Sequence, residues 1–67
     1  MSTFKEANQI RTSLKMKLSN HYWYNGSGVF VGGDDYYVVI NVKKIDNQVR
    51  KIIPPVVEGI SIRTEAD

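Results

Sequence analysis

The feature that most constrains the fold is the β-rich run at residues 36–44, Tyr-Tyr-Val-Val-Ile-Asn-Val-Lys-Lys. Six of these nine residues are aromatic or β-branched, the types that suit a pleated, half-buried surface. Side chains alternate between the two faces of a strand. One predicted face is apolar throughout and carries Tyr36, Val38, Ile40 and Val42. The other becomes polar towards its end and carries Tyr37, Val39, Asn41 and Lys43. This pattern predicts a sheet with one covered side.

The cover is predicted to be an N-terminal helix. Thr3 and Glu6 stand three residues apart, the spacing of a capping box, in which each side chain bonds the other residue's backbone N–H. Apolar residues then recur at helical spacing, at Phe4, Ala7, Ile10, Leu14 and Leu18. We therefore expect a helix over residues 4–19, with Asn20 as a left-handed stop. Its apolar stripe would lie on the apolar face of the central strand.

Three further elements complete the predicted order. Residues 29–31 form a short strand, joined to the central strand by a hairpin turn at residues 32–35. Asp46 or Asn47 caps a short helix that ends before Pro54. Residues 60–65 alternate as a last, half-buried strand. The 14 residues from Ile45 to Glu58 are long enough for a crossover that would make it parallel to the central strand, either beside that strand or beyond the first one. We predict one α+β domain over residues 1–67, with an N-terminal helix packed on a three-stranded sheet (α-β-β-short α-β) in two layers.

Size and composition restrict the function. The chain has 67 residues, no cysteine and a net charge of +2. A domain this small is marginally stable alone, so a homodimer or a protein partner is expected to add stability. The lack of cysteine excludes thiolate chemistry and suits a reducing compartment, which favours a cytoplasmic location. No apolar run could span a membrane and the N-terminus lacks an apolar signal core, so we expect neither a membrane span nor an export signal.

Catalytic chemistry has little support in the sequence. His21 is the only histidine, and no nucleophile stands beside a base at a recognisable spacing. Asp34 and Asp35 adjoin a glycine pair in a predicted turn, where solvated aspartates are common. The glycines match no phosphate-binding motif. We expect a non-enzymatic protein with no cofactor and no metal site.

The densest aromatic cluster lies at residues 22–24, after the predicted helix. Aromatic side chains in this position either close the end of a small core or form a contact surface. For the second interpretation the candidate partner-binding residues are Tyr22, Trp23, Tyr24 and Tyr37. Within the cluster we expect Trp23 to be buried and Tyr24 to be exposed.

Basic residues supply an alternative function, nucleic-acid binding. Basic side chains interleaved with aromatic ones are typical of single-strand binders. The candidate residues are Lys43, Lys44, Arg50, Lys51 and Arg63. A solvated basic rim would give the same pattern, and a net charge of +2 is far from that of a dedicated nucleic-acid binder.

Three stretches, at residues 28–32, 37–44 and 53–62, together resemble a small α-β-β-β module found at the N-terminus of some bacterial trypsin-like and uncharacterised proteins. In that module a glycine–valine strand and a long β-branched strand ending in lysines precede a proline-led segment. This chain has Ser61 where the pattern often has proline. The resemblance implies the fold and a non-catalytic role. With the small size it points to an interaction domain, such as an accessory protein of a phage or bacterium.

Overall fold

The computed structural model describes residues 3–66 and shows an α+β domain in which an N-terminal helix packs on one side of a mixed sheet. The elements in chain order are α1 (Phe4–Leu18), β1 (Tyr24–Gly32), β2 (Asp35–Val42), α2 (Asn47–Ile52), β3 (Val56–Val57) and β4 (Ile60–Ala66). The predicted fold class and the order of its main elements are confirmed, while the sheet has four strands instead of three.

Helix α1 begins with the predicted capping box. The Thr3 hydroxyl accepts a hydrogen bond from the Glu6 amide at 3.2 Å, and the Glu6 carboxylate accepts one from the Thr3 amide at 3.1 Å. Two details differ from the prediction. Phe4 is 53% exposed and its ring contacts Tyr36 outside the core, because it precedes the first buried turn. Asn20 is not left-handed, and the helix ends at Leu18 with Ser19 as a C-cap in the right-handed conformation.

The sheet has the strand order β1-β2-β4-β3. The central strand pairs antiparallel with β1 and parallel with β4. The parallel direction agrees with the predicted crossover, and of the two positions left open for the last strand the structure has the one beside the central strand. The additional strand β3 is only two residues long and pairs antiparallel with β4. A tight turn joins them, with Glu58 at φ 49° and Gly59 at φ 82°. Two successive positive φ angles fit a type I′ hairpin turn.

Strand β1 is much longer than predicted, nine residues instead of three. Its Gly26-Ser27-Gly28 segment pairs with β2 although glycine disfavours strands, because β2 supplies a continuous antiparallel partner. The register shifts by one residue between Tyr24 and Gly26, which is a β-bulge. The hairpin turn at Gly33 and Asp34 has the predicted position, and Gly33 adopts φ 64°.

Both helices cover the same side of the sheet. Helix α1 contacts β1 and β2. Helix α2 is capped by Asp46, whose carboxylate accepts a hydrogen bond from the Val49 amide at 2.9 Å. One apolar cluster contains buried residues of both helices together with the β2 face predicted to be covered: Ala7, Ile10, Leu14, Leu18, Val38, Ile40, Val42 and Val49. The opposite side of the sheet carries no described helix, and we call it the open face.

Candidate functional site

The open face is defined by the pairing of the strands. Phe30 on β1 lies opposite Tyr37 on β2, Tyr37 lies beside Ser61 on β4, and Ser61 lies opposite Val56 on β3. Paired residues of neighbouring strands point to the same side of a sheet. These four side chains therefore form a row across all four strands. Val39 and Arg63 belong to the next row on the same face.

Tyr37 stands at the centre of a stacked arrangement on this face. The Phe30 and Tyr37 rings have centroids 5.9 Å apart and planes inclined by 24°. The Arg63 guanidinium carbon lies 4.4 Å from the Tyr37 ring centroid, within the range of a cation–π contact. We call these three residues the Phe30–Tyr37–Arg63 stack. It joins three strands through side chains alone.

Two glycines of β1 let the rings lie close to the backbone. A Cβ atom at Gly28 would stand 3.1 Å from Phe30 Cε2, and one at Gly32 would stand 2.9 Å from Tyr37 Cε1. The second distance is shorter than real Cβ contacts, so any side chain at Gly32 would displace the Tyr37 ring. Glycine at these positions thus fixes the height of the stack above the sheet.

Burial is uneven across the open face. Val39 is only 4% exposed although no described helix lies over it, so side chains of the sheet itself must cover it. Phe30 and Val56 remain 49% and 55% exposed. The face thus combines a sealed centre with accessible apolar side chains around it. Scattered exposed apolar residues are ordinary, but Phe30 and Val56 share one row with the half-buried Tyr37 on an uncovered face, which makes this face a candidate contact surface.

Charges on the open face are of both signs. Arg63 and Glu65 lie two residues apart on this face of β4. The register also places Asp35 on this face, beyond Phe30 and Tyr37. The structure shows no buried polar or charged side chain among residues 3–66. Within that same range no three His, Asp or Glu side chains are grouped so that they could hold a metal ion. The main contacts described on this surface are therefore those of the stacked side chains, not those of a cluster of acidic or histidine side chains.

The predicted partner-binding residues lie in different environments. Trp23 is buried as predicted, 3% exposed in the core, with His21 stacked on it at 4.7 Å between ring centroids. Tyr22 is exposed. Tyr24 is half-buried, which corrects the expectation of exposure, because it is in β1 and its hydroxyl is 3.0 Å from the Ser27 hydroxyl. Tyr37 lies on the open face, away from the core that holds Trp23.

The predicted nucleic-acid-binding residues are also divided between surfaces. Lys43 and Lys44 follow the end of β2 and are exposed. Arg50 and Lys51 are exposed on α2, on the covered side of the sheet. Only Arg63 belongs to the open face. The five basic residues thus do not form one continuous patch on a single face.

Phe30, Val39 and Val56 were not identified from the sequence as parts of a candidate surface. The signal for Phe30 was present, because strict alternation in the predicted strand at residues 29–31 sets it opposite to Val29 and Val31. No comparable signal existed for Val56, since its place in the row depends on a two-residue strand.

Comparison of the chain with models of protein families, with curated proteins and with solved structures finds no match. No helix within residues 3–66 is both long enough and apolar enough to cross a lipid bilayer.

Proposed function

We propose that this protein is a small, non-enzymatic interaction domain that binds a protein partner through the open face of its sheet. The observation that supports this proposal is the Phe30–Tyr37–Arg63 stack, held on a sheet face that no described helix covers. Aromatic side chains and arginine are the residue types that contribute most to binding energy at protein interfaces.

Mutual contacts inside the stack add to this support. The Phe30 and Tyr37 rings stack on each other and the Arg63 guanidinium lies over the Tyr37 ring, so these side chains are partly ordered before a partner binds. Immobilising a free side chain at an interface costs about 0.5–1.5 kcal/mol, and a partly ordered surface avoids part of this loss.

The size of the open face indicates the kind of complex. Seven residues of strand span about 23 Å, and four strands span about 14 Å between the outer two. Such an area is smaller than the roughly 800 Å² that each partner buries in a standard interface. The proposed complex is therefore a small and transient one, and a second copy of the chain is one form that the partner could take.

Nucleic-acid binding is the second candidate. It is supported by two aromatic rings and one guanidinium on a sheet face, because bases stack on such rings without regard to sequence. Glu65 and Asp35 on the same face oppose a polyanion, and Arg50 and Lys51 lie on the other side of the sheet. These charges favour the protein partner.

Site-specific photo-crosslinking tests the first proposal. Benzoylphenylalanine introduced at Ser61 would report contacts at the centre of the exposed row, and the same group at Met16, 73% exposed on α1, is the matched control. Irradiation in the source cells should give a discrete adduct from position 61 that position 16 does not give. The adduct should weaken when Phe30→Ala or Arg63→Ala is added. Identical adducts from both positions, or none from position 61, would refute the proposal.

A titration separates the two candidates. Fluorescent single-stranded oligonucleotides are added at low salt, where electrostatic binding is strongest. Under the first proposal no binding that depends on Tyr37 is expected. If the protein binds the oligonucleotides with a salt-sensitive affinity that Tyr37→Ala abolishes, nucleic-acid binding replaces protein binding as the proposed function.

A further inference from the structure

The outer edge of β1 is a second surface with the features of a binding site. Strand order places β1 at one edge of the sheet and β3 at the other. The β3 edge is only two residues long and directly follows Pro54 and Pro55, which protects it against pairing with another strand. The β1 edge is nine residues long and contains no charge and no proline. Beyond the β-bulge between Tyr24 and Gly26, it therefore lacks the usual protection of an exposed edge.

The hairpin determines which backbone groups of β1 point outward. Gly33 and Asp34 form a two-residue turn, so Gly32 and Asp35 are the hydrogen-bonded pair that closes it. Hydrogen-bonded and non-hydrogen-bonded pairs alternate along an antiparallel ladder. The alternation directs the N–H and C=O groups of Val31, Val29 and Ser27 away from β2.

A groove runs between this edge and helix α1. Its lining residues are Arg11, Lys15, Tyr24, Asn25, Gly26 and Ser27. Arg11 Nε donates a hydrogen bond to Asn8 Oδ1 at 3.1 Å, which orients the guanidinium and leaves its terminal N–H groups available. Arg11 and Lys15 are the basic residues of this lining, and both belong to α1. The groove is thus basic on its helix side and offers backbone hydrogen bonds on its strand side.

We propose that the β1 edge binds an extended, acidic segment of a partner protein as an added strand, with its carboxylates directed to Arg11 and Lys15. Main-chain hydrogen bonds at an open sheet edge supply affinity in this mode of recognition, and side-chain contacts supply selectivity. A second copy of this chain is the competing occupant of the same edge, and the crosslinking experiment below tests it. This surface is separate from the open face, so either proposal can fail without the other.

Synthetic peptides test the inference directly. The probe is a capped peptide of alternating valine and threonine in which two threonines are replaced by glutamate. One control peptide has lysine at the two glutamate positions, and another carries N-methyl groups on alternate amides so that it cannot extend a sheet. In an NMR titration the acidic probe should shift the amide signals of Ser27, Val29 and Val31. Both control peptides should leave those signals in place.

Paired variants locate the charge contact. Lys15 and Lys17 are both exposed lysines in the last turn of α1, but only Lys15 lines the groove. Lys15→Glu should weaken binding of the acidic probe about fivefold, the effect of one peripheral charge contact. Lys17→Glu should bind as the unmodified protein does. Arg63→Ser, which changes the open face, should also leave the affinity unchanged.

Other outcomes would overturn the inference. Absence of amide shifts at millimolar probe, equal losses for Lys15→Glu and Lys17→Glu, or shifts centred on Tyr37 and Arg63 would each exclude this site. So would a stable dimer that forms a disulfide through Val29→Cys, because then the edge is occupied by a second copy. The chain has no cysteine of its own, so that crosslink would be unambiguous.

Discussion

Val38 and Val39 are neighbours in β2 and are both buried, but on opposite faces of the sheet and by different means. Val38 is 0% exposed within the cluster that contains residues of both helices. Val39 is 4% exposed on the open face and is not part of that cluster. Its neighbours in the strand register on this face are Gly28 and Arg63.

The difference between these faces separates contacts that belong to the fold from the surface that we propose for binding. The covered face is closed by helices whose removal would expose the core, so its contacts are part of the fold. The open face is closed by side chains that can shift without unfolding a helix. Phe30 and Val56 on this face are 49% and 55% exposed. A partner bound to this face would bury these two side chains.

The largest expected contrast is between truncations on the two faces. Leu18→Ala removes a side chain that is 1% exposed beneath α1, and it should lower the free energy of unfolding by about 3 kcal/mol. For a domain of this length that is a large part of a total of about 3 to 10 kcal/mol. Phe30→Ala should cost about 1 kcal/mol, because half of the ring is already in water. Urea unfolding monitored by circular dichroism measures both, and similar losses would contradict the distinction.

A smaller effect is expected at the cap of α2, which belongs to the covered side. Asp46→Ala removes the acceptor for the Val49 amide and should lower stability by about 1 kcal/mol. Asp34→Ala in the hairpin turn is the matched control, an exposed aspartate at which a change within about 0.5 kcal/mol is expected. Thermal unfolding of the two variants in the same buffer compares them. An equal loss at Asp34 would show that the cap does not explain the effect.

The smallest expected effect is the coupling inside the stack. A double-mutant cycle of Tyr37→Leu and Arg63→Met should give a coupling free energy of about 0.5–1 kcal/mol, the value for a cation–π pair at an exposed site. Arg63→Lys should retain part of it, because lysine keeps the charge but loses the planar contact. Chemical unfolding supplies all the values. A coupling free energy of zero would mean that the contact between Tyr37 and Arg63 does not contribute to stability.

Much of the fold was predictable because its signals are local or periodic. The capping-box pair Thr3 and Glu6 predicted the start of α1. The apolar residues that recur at helical spacing from Ala7 to Leu18 lie in the core, as that spacing predicts. The alternation of β2 assigned Val38, Ile40 and Val42 to the covered side. The parallel direction of β4 agrees with the length of the crossover, whereas its place beside β2 was not predictable from the sequence.

What the sequence did not reveal depends on tertiary context. The local preference of Gly26 and Gly28 is for a turn, but both residues are in a strand because they pair with β2. Strand β3 is too short to leave a periodic signal. The candidate surface was missed for the same reason, because Phe30 and Arg63 are 33 positions apart in the numbering and meet only through the pairing of β1 and β4 with β2.

The most direct test of the two-face account compares Val38→Ala with Val39→Ala, the same truncation at adjacent positions. Each removes two methyl groups, whose transfer to water is worth about 1.6 kcal/mol. At Val38 the helices hold a cavity open, so a loss of about 2.5 kcal/mol in the free energy of unfolding is expected. At Val39 the overlying side chains can settle into the space, so the predicted loss is about 1.5 kcal/mol or less. Equal losses in denaturant unfolding, or a larger loss at Val39, would contradict the account.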